Sequence, residues 1–221
     1  MYKLFINGGK MEQRIGQDKV EDFLEKLSSK APVPGGGGAS AVGAAIGNGL
    51  GQMVANLTIG KKKYKDAEPE IQELLGKMEV LKKEFMRLAD ADAEVFAPLA
   101  ASYSLPSGTE EEKAKKDEIM EKNLLAATLI PIEIMEKSIH MLDILEVLGK
   151  KGSRMAISDV GVGVQFVRAA LLGAVMNVYI NTKSMKVRKK AEELNAYADS
   201  MVARGTKKAD RIYQEVLRAL R

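Results

Sequence analysis

Few side chains in this sequence are equipped for catalysis, and the scarcity narrows the chemistry. Cysteine is absent and histidine occurs once, at His140. Thiol nucleophiles, disulfides, serine–histidine triads and nearly every zinc site are thereby excluded, and no metal is expected. His140 falls off the apolar face of its helix and reads as an ordinary solvent-facing residue. Proton transfer and charge stabilisation are left to carboxylates. Asp92 follows Phe85 by seven residues and Leu88 by four, which puts it on an apolar stripe. An acid there is costly unless it has a partner or a task. Asp90 and Glu94 point away from that stripe. Asp159, beside Ser158, opens a strongly apolar helix; it either serves the chemistry or simply complements the helix dipole.

Binding groups surround these acids in the sequence. Pro34 is followed by Gly35, Gly36, Gly37 and Gly38, a loop leading into a helix start, where free amides suit an anion or a polar ring edge. The same helix leads to Lys61, Lys62, Lys63 and Tyr64. A lysine run is commonly a solvated face, but this one adjoins a stretch, residues 31–60, with no charge at all. Asn177 and Asn181 are four apart on an otherwise apolar helix and share a face. Nucleotide-binding glycine motifs fail on inspection: Ala55 stands where a P-loop ending at Gly60-Lys61 needs glycine, and Gly161-Val162-Gly163 runs on to Phe166 with no preceding strand.

The elements that must position these groups are helices. A first helix is expected from Asp18, with Asp18 and Glu21 at capping-box spacing and Val20, Phe23, Leu24 and Leu27 on one face, ending before Pro32. A second spans about residues 39–59 and carries Gly43, Gly47 and Gly51 at four-residue intervals, a sign of close approach by a neighbouring helix. A third opens at Pro69 and runs through Leu99. Thr109 and Glu112 form a second capping box for a fourth, which extends to Leu148 with a kink at Pro131. The fifth begins near Ser158 and is apolar on every side from Val160 to Ile180, as a fully surrounded central helix would be. The last covers residues 187–220, with Gly205 a potential break. A short strand near Tyr2 to Ile6 is the sole β candidate. The expectation is one all-α domain over residues 1–221, a bundle of long, partly kinked helices.

Composition bounds the partners. The net charge is +4, acids and bases interleave, and aromatics make up 5% of residues, so a basic stripe with stacking aromatics for nucleic acid is missing. The uncharged residues 31–60 have the length of a membrane span, yet Pro32, Pro34, four glycines, Asn48, Gln52, Asn56 and Thr58 make them too polar for hydrocarbon. The start of the chain has no signal-peptide pattern, and the lack of cysteine fits the reducing cytoplasm.

In family order the chain carries Pro32-Val33-Pro34-Gly35-Gly36-Gly37, the small-residue helix, Gly60-Lys61-Lys62-Lys63-Tyr64, Leu88-Ala89-Asp90-Ala91-Asp92 with Phe96, Tyr103-Ser104-Leu105-Pro106, Pro131, residues 156–162 as Ala-Ile-Ser-Asp-Val-Gly-Val, and Asn177-Val178-Tyr179-Ile180-Asn181. This ordered set, spanning about residues 18–221, resembles the formiminotetrahydrofolate cyclodeaminase family, which also contains methenyltetrahydrofolate cyclohydrolases. Gly38 departs from the serine usual there. The resemblance implies an all-helical homodimer that binds a one-carbon tetrahydrofolate at or near the subunit interface, polyglutamylated forms included, with no cofactor beyond that carrier. It implies closure of 5-formiminotetrahydrofolate to the 5,10-methenyl form with loss of ammonia, or, as the alternative, hydrolysis of the methenyl form to 10-formyltetrahydrofolate. No formiminotransferase domain is expected beside it. A non-catalytic folate-binding or dimerisation protein is the alternative of another class. On this reading Asp92 and Asp159 are the catalytic acids, while Gly36, Gly37, Lys61, Lys62, Tyr64, Ser158, Asn177 and Asn181 contact substrate: lysines on the anionic tail, asparagines on the pterin edge.

Overall fold

A computed structural model describes residues 14–221; the strand expected near Tyr2 lies outside them. Among the described residues every regular element is helical. The order is α1 (Val20–Ser28), α2 (Gly36–Thr58), α3 (Glu68–Tyr103), α4 (Glu110–Lys151), α5 (Ile157–Ser184) and α6 (Arg188–Leu220), with single 3-10 turns at Ile15–Gln17, Lys62–Tyr64 and Arg154–Ala156.

Local chemistry sets most of the boundaries. Pro69 sits in the first turn of α3, where its missing amide proton costs nothing. The Thr109 hydroxyl accepts the Glu112 amide at 3.1 Å while the Glu112 carboxylate accepts the Thr109 amide at 3.0 Å, so that capping box forms as expected. The one expected at α1 does not. α1 begins at Val20, and the Asp18 carboxylate is taken by the Lys26 ammonium at 2.7 Å. α4 continues through Pro131 as one helix.

α2 lies near the middle, packed against α3, α4 and α5. It runs antiparallel to α5: Gly36 faces Asn177, Ser40 faces Gly173, and Gly47 faces Gly163 and Val167. At the tightest crossing a Cβ on Gly47 would stand 2.7 Å from Val167 Cγ2 and 2.8 Å from the Gly163 carbonyl. The glycine pattern thus reflects close packing for Gly47 and for Gly51, whose Cβ would meet Met141 at 2.8 Å, but not for Gly43, which faces open space. The polar residues of the uncharged stretch are accounted for too. Asn48 is fully buried, donating to the Met78 carbonyl at 3.0 Å and accepting from Gln52 at 2.7 Å. The Thr58 hydroxyl donates to the Val54 carbonyl and accepts the Ser153 amide at 2.8 Å.

The core has two lobes along the bundle. Phe85, Met78, Met141, Leu145 and Val164 centre one; Leu88, Leu124, Met135, Leu171 and Val178 centre the other, nearer Asp92. α5 is not wholly surrounded, as its sequence suggested. Val162, Phe166, Met176 and Ile180 are exposed, as are Ile46, Met53 and Leu57 on the adjoining side of α2. By length and composition residues 154–184 would also pass as a membrane span, with half of the most apolar window buried in the bundle.

α6 runs unbroken through Gly205, contrary to the expected break. There a Cβ would collide with Leu171 and Ile139, so this glycine lets α6 lie against α5 and α4. Gly76, in exposed mid-α3, has nothing near it. Gly205→Ala should therefore destabilise by about 1–3 kcal/mol through overpacking, whereas Gly76→Ala should stabilise by about 0.5–1 kcal/mol through helix propensity. Chemical denaturation of the two variants checks the contrast; equal effects would refute the packing assignment.

Candidate functional site

The glycine run is not a loop. Gly35 is the N-cap of α2, and Gly36, Gly37 and Gly38 form its first turn, whose amides have no carbonyl within the helix to bond. One of them is taken by a side chain: the Gly38 amide donates to Asp92 Oδ2 at 2.9 Å. Asp92 reaches this position because Gly37 has no Cβ. An added one would overlap the Asp92 carboxyl carbon and lie 2.7 Å from Oδ2. Asn177 on α5 flanks the other side, its amide nitrogen 3.4 Å from where a Gly36 Cβ would be, and it is steadied by donating to the Gly173 carbonyl at 3.1 Å. The Ser40 hydroxyl donates to the Gly36 carbonyl at 2.7 Å. Asn181 lies one turn further along α5, half-buried.

Asp92 and Asp90 divide as expected from an angular separation of about 200° on a helix. Asp90 accepts the Ile15 amide at 2.7 Å and ties the turn before α1 to α3. Asp92 alone faces the start of α2. Burial pushes its carboxyl above the usual range, and the Gly38 amide, which favours the anion, offsets this only in part.

The remaining expected residues lie elsewhere in the chain. Lys61, Lys62 and Tyr64 follow the C-terminal end of α2, and a 23-residue helix spans about 33 Å. Asp159 and Ser158 stand in the first turn of α5, about 27 Å along that helix from Asn177. These five form a second group, joined where the Tyr64 hydroxyl accepts the Arg154 amide at 3.0 Å. That bond, with the nearby cations, draws the Tyr64 phenol below its ordinary value. Lys63 stands 5.6 Å from the Tyr64 ring centroid. Within one chain, then, Gly36, Gly37, Asp92, Asn177 and Asn181 come together, while Lys61, Lys62, Tyr64, Ser158 and Asp159 gather at the opposite end of the α2–α5 pair. Gly38, part of the glycine run expected to offer amides, belongs to the first group, as do Ser40 and Gly173, which were not anticipated from sequence. Ser40, four residues after Gly36 and four after neither acid, carries no pattern that would single it out.

Around Asp92 the arrangement offers a partly desolvated acid that holds its proton more tightly than a surface aspartate, helix-start amides beside it, and a carboxamide for a heterocycle edge. Surface clefts between α4 and the α5–α6 turn, lined by Leu125, Met185 and Val187, and beside Arg14, Met86 and Arg87, include neither Asp92 nor Asn177.

Residues 19–200 match the family described as Formiminotransferase-cyclodeaminase. The chain is 38% identical over 201 residues to the methenyltetrahydrofolate cyclohydrolase of Methylorubrum extorquens, covering 91% of this chain and 97% of that protein. It is 27% identical to the formimidoyltransferase-cyclodeaminase of Rattus norvegicus over 79% of this chain, but spans 32% of that longer protein. In structure it resembles the formiminotetrahydrofolate cyclodeaminase of Thermotoga maritima, with a TM-score of 0.79 at 25% identity, over 94% of this chain and 98% of the other.

An acid whose folded form binds its proton more tightly than the unfolded chain adds stability that is lost as pH rises from the ordinary carboxylate range through the raised value. Asp92→Asn removes that loss. The variant should melt above the parent at pH 7, and the gain should fade on acidification towards about pH 4, where an ordinary aspartate is itself half-protonated. Thermal scans across pH check it; a variant less stable than the parent at pH 7 would contradict the burial argument.

Proposed function

Because the chain belongs to the formiminotransferase-cyclodeaminase family, we propose that it is a one-carbon folate enzyme acting on the bridged methenyl cation of tetrahydrofolate, with Asp92 as its proton-transferring group. Partly buried Asp92, wedged against Gly37 and Gly38, is the observation that carries the reading. A carboxylate partly withdrawn from water stabilises a delocalised cation beside it, and one whose pKa is raised passes a proton back more readily than a surface aspartate.

The hydrolytic reaction is favoured, since the cyclohydrolase relative matches over nearly its whole length. Water adds to the bridging carbon as Asp92 takes its proton. The carbon–N5 bond then breaks while Asp92 returns that proton to N5 and the second water proton, on the carbinol hydroxyl, leaves to solvent, so that the cation's charge departs with it and a neutral formyl group stays on N10. The residues alone set the deaminating reaction slightly ahead, and the structural likeness to the Thermotoga protein favours it as the second reading. There N10 attacks the formimino carbon, loses its proton, and ammonia departs carrying one. Both routes pass through the same cation and need the same acid. Neither step draws on a metal or redox cofactor. The glycine amides and Asn177 orient the ring, and Asn181 extends that edge.

Purified protein offered 5,10-methenyl- and 5-formiminotetrahydrofolate separately should decide between them. Loss of methenyl absorbance without ammonia marks the hydrolase, its appearance with ammonia marks the deaminase, and silence in both supports a binding protein. In the active assay Asp92→Asn should lower turnover about 100-fold or more, while Asp90→Asn keeps most of it once folding is verified. A dead Asp90→Asn variant beside an active Asp92→Asn variant would reverse the assignment.

The enzyme is proposed to act as a homodimer in the cytoplasm, the exposed apolar strip of α2 and α5 being the surface covered. Light scattering at micromolar concentration should give about twice the chain mass of 24.0 kDa. Monomer alone would defeat it.

A further inference from the structure

Among the described helices α1 alone has no buried residue. Val20, Phe23, Leu24 and Leu27 form an apolar side at helical spacing. Val20 is 74% and Leu24 53% exposed, and neither core lobe takes any of the four. No side chain caps the start of α1, and a nine-residue helix is too short to persist in water on propensity alone. Its apolar side needs something to lie against.

The chain on either side of α1 indicates where that is. Before it, the Ile15 amide donates to Asp90 at 2.7 Å, and the Ile15 side chain comes within 3.8 Å of the Cβ position at Gly38. After it, only residues 29–34 separate α1 from Gly35, the N-cap of α2, and fully extended they span about 20 Å. Both ends of the segment are thus tied to the first turn of α2, where Asp92 and Asn177 meet. α1 is about 13 Å long. It can cross that turn and cannot leave its neighbourhood.

The register of the bundle gives α1 a place to go. α2 runs antiparallel to α3, with Gly37 against Asp92 and Gly51 against Met78, as it does to α5. It starts at Gly36, whereas α3 continues from Asp92 to Tyr103, about 16 Å, and α5 from Asn177 to Ser184, about 10 Å. Two walls therefore stand beyond the end of α2. One turn past Asp92, on the same face of α3, is half-buried Phe96; about one turn past Asn177 are exposed Ile180 and half-buried Asn181. A small-ligand site encloses most of its ligand, and two walls with a floor at Gly36 do not. We infer that α1 is the roof of this site: it lies across the two walls with Phe23, Leu24 and Leu27 turned inward. There they cover a ring laid on Phe96 and meet Ile180 on the far wall. The identity of that ring rests on the folate reading above, on which it is the uncharged benzoyl group between the pterin and the anionic tail. The roof also keeps water from the cation while Asp92 faces it. Ile180 stands past the level of Gly36, so the contact leaves the α2–α5 strip free for a second subunit.

Two measurements test this. The chain has no cysteine, so a double substitution introduces the only two thiols. In Leu27→Cys/Ile180→Cys, mild oxidation should consume both thiols while the non-reducing gel still shows one chain mass. Glu25→Cys/Ile180→Cys, whose first thiol is on the other side of α1, should stay reduced. This readout needs no substrate, so its failure is separable from failure of the folate reading. The linked protein should turn over 5,10-methenyltetrahydrofolate at least about 10-fold more slowly than wild type and recover on reduction, because a fixed roof bars entry. In the second measurement, Phe23→Ser/Leu24→Ser/Leu27→Ser should raise KM for that substrate about 10-fold or more. Its urea midpoint should stay at the wild-type value, since none of the three residues belongs to the core. Free thiols after oxidation of Leu27→Cys/Ile180→Cys, a link between two chains, equal linking of the Glu25→Cys pair, or an unchanged KM in the triple-serine variant would each overturn the proposal.

Discussion

Three helices can share one small polar site here because α2 gives up side chains where its neighbours need the room. Helix axes ordinarily stay 8–10 Å apart according to the side chains between them. At Gly37 the missing Cβ admits the Asp92 carboxylate, at Gly47 the α5 backbone, and at Gly51 the methionines of α3 and α4. The first contact is chemical and the other two are purely steric, yet they depend on one another. Widening the crossing at Gly47 would carry the whole of α2, and with it the Gly38 amide, away from Asp92.

Electrostatics at this crossing oppose the fold mildly and suit the proton transfer proposed for Asp92. The start of α2 is the positive end of its dipole and favours an anion, whereas burial favours the neutral acid, and burial prevails. An acid so balanced stands closer to the protonation midpoint than a surface aspartate, the condition for passing a proton in both directions. The ion pairs elsewhere, such as Arg87 with Glu84 and Glu133 or Arg211 with Glu146, sit on partly exposed helix surfaces. Pairs of that sort contribute at most about 1 kcal/mol each, so they decorate a bundle that packing already holds.

Much of this was legible in the residues. The α4 capping box, the proline start of α3 and the separation of Asp90 from Asp92 follow from rules local to one helix, and each holds. What sequence misjudged involves a second element. Asp18 has the right spacing for a cap, but Lys26 claims its carboxylate. The glycines before Ala39 have poor helix propensity, yet α2 starts within them because an acid from α3 accepts one of their amides. Gly205 looks like a breaker only while α5 is out of view. Lys61 and Asp159 lie about a helix length from Asp92 within one chain, a distance that chain order does not show. The apolar circumference of α5 was read as burial within one chain, whereas half of it faces outwards.

That outward strip also bears on how the protein ages. Without cysteine, methionine is the side chain most open to oxidation, and a sulfoxide turns a pliable apolar group into a polar one. Met53, Met155 and Met176 all project from the uncovered surface of α2, α5 and the turn between α4 and α5, while Met78, Met135 and Met141 are sealed in the core. Damage would thus fall first on the residues that hold no helix in place. On the dimer proposed above, a subunit would lose its adhesiveness to another long before it lost its shape, and sulfoxide at these three positions would record how long a chain had spent alone.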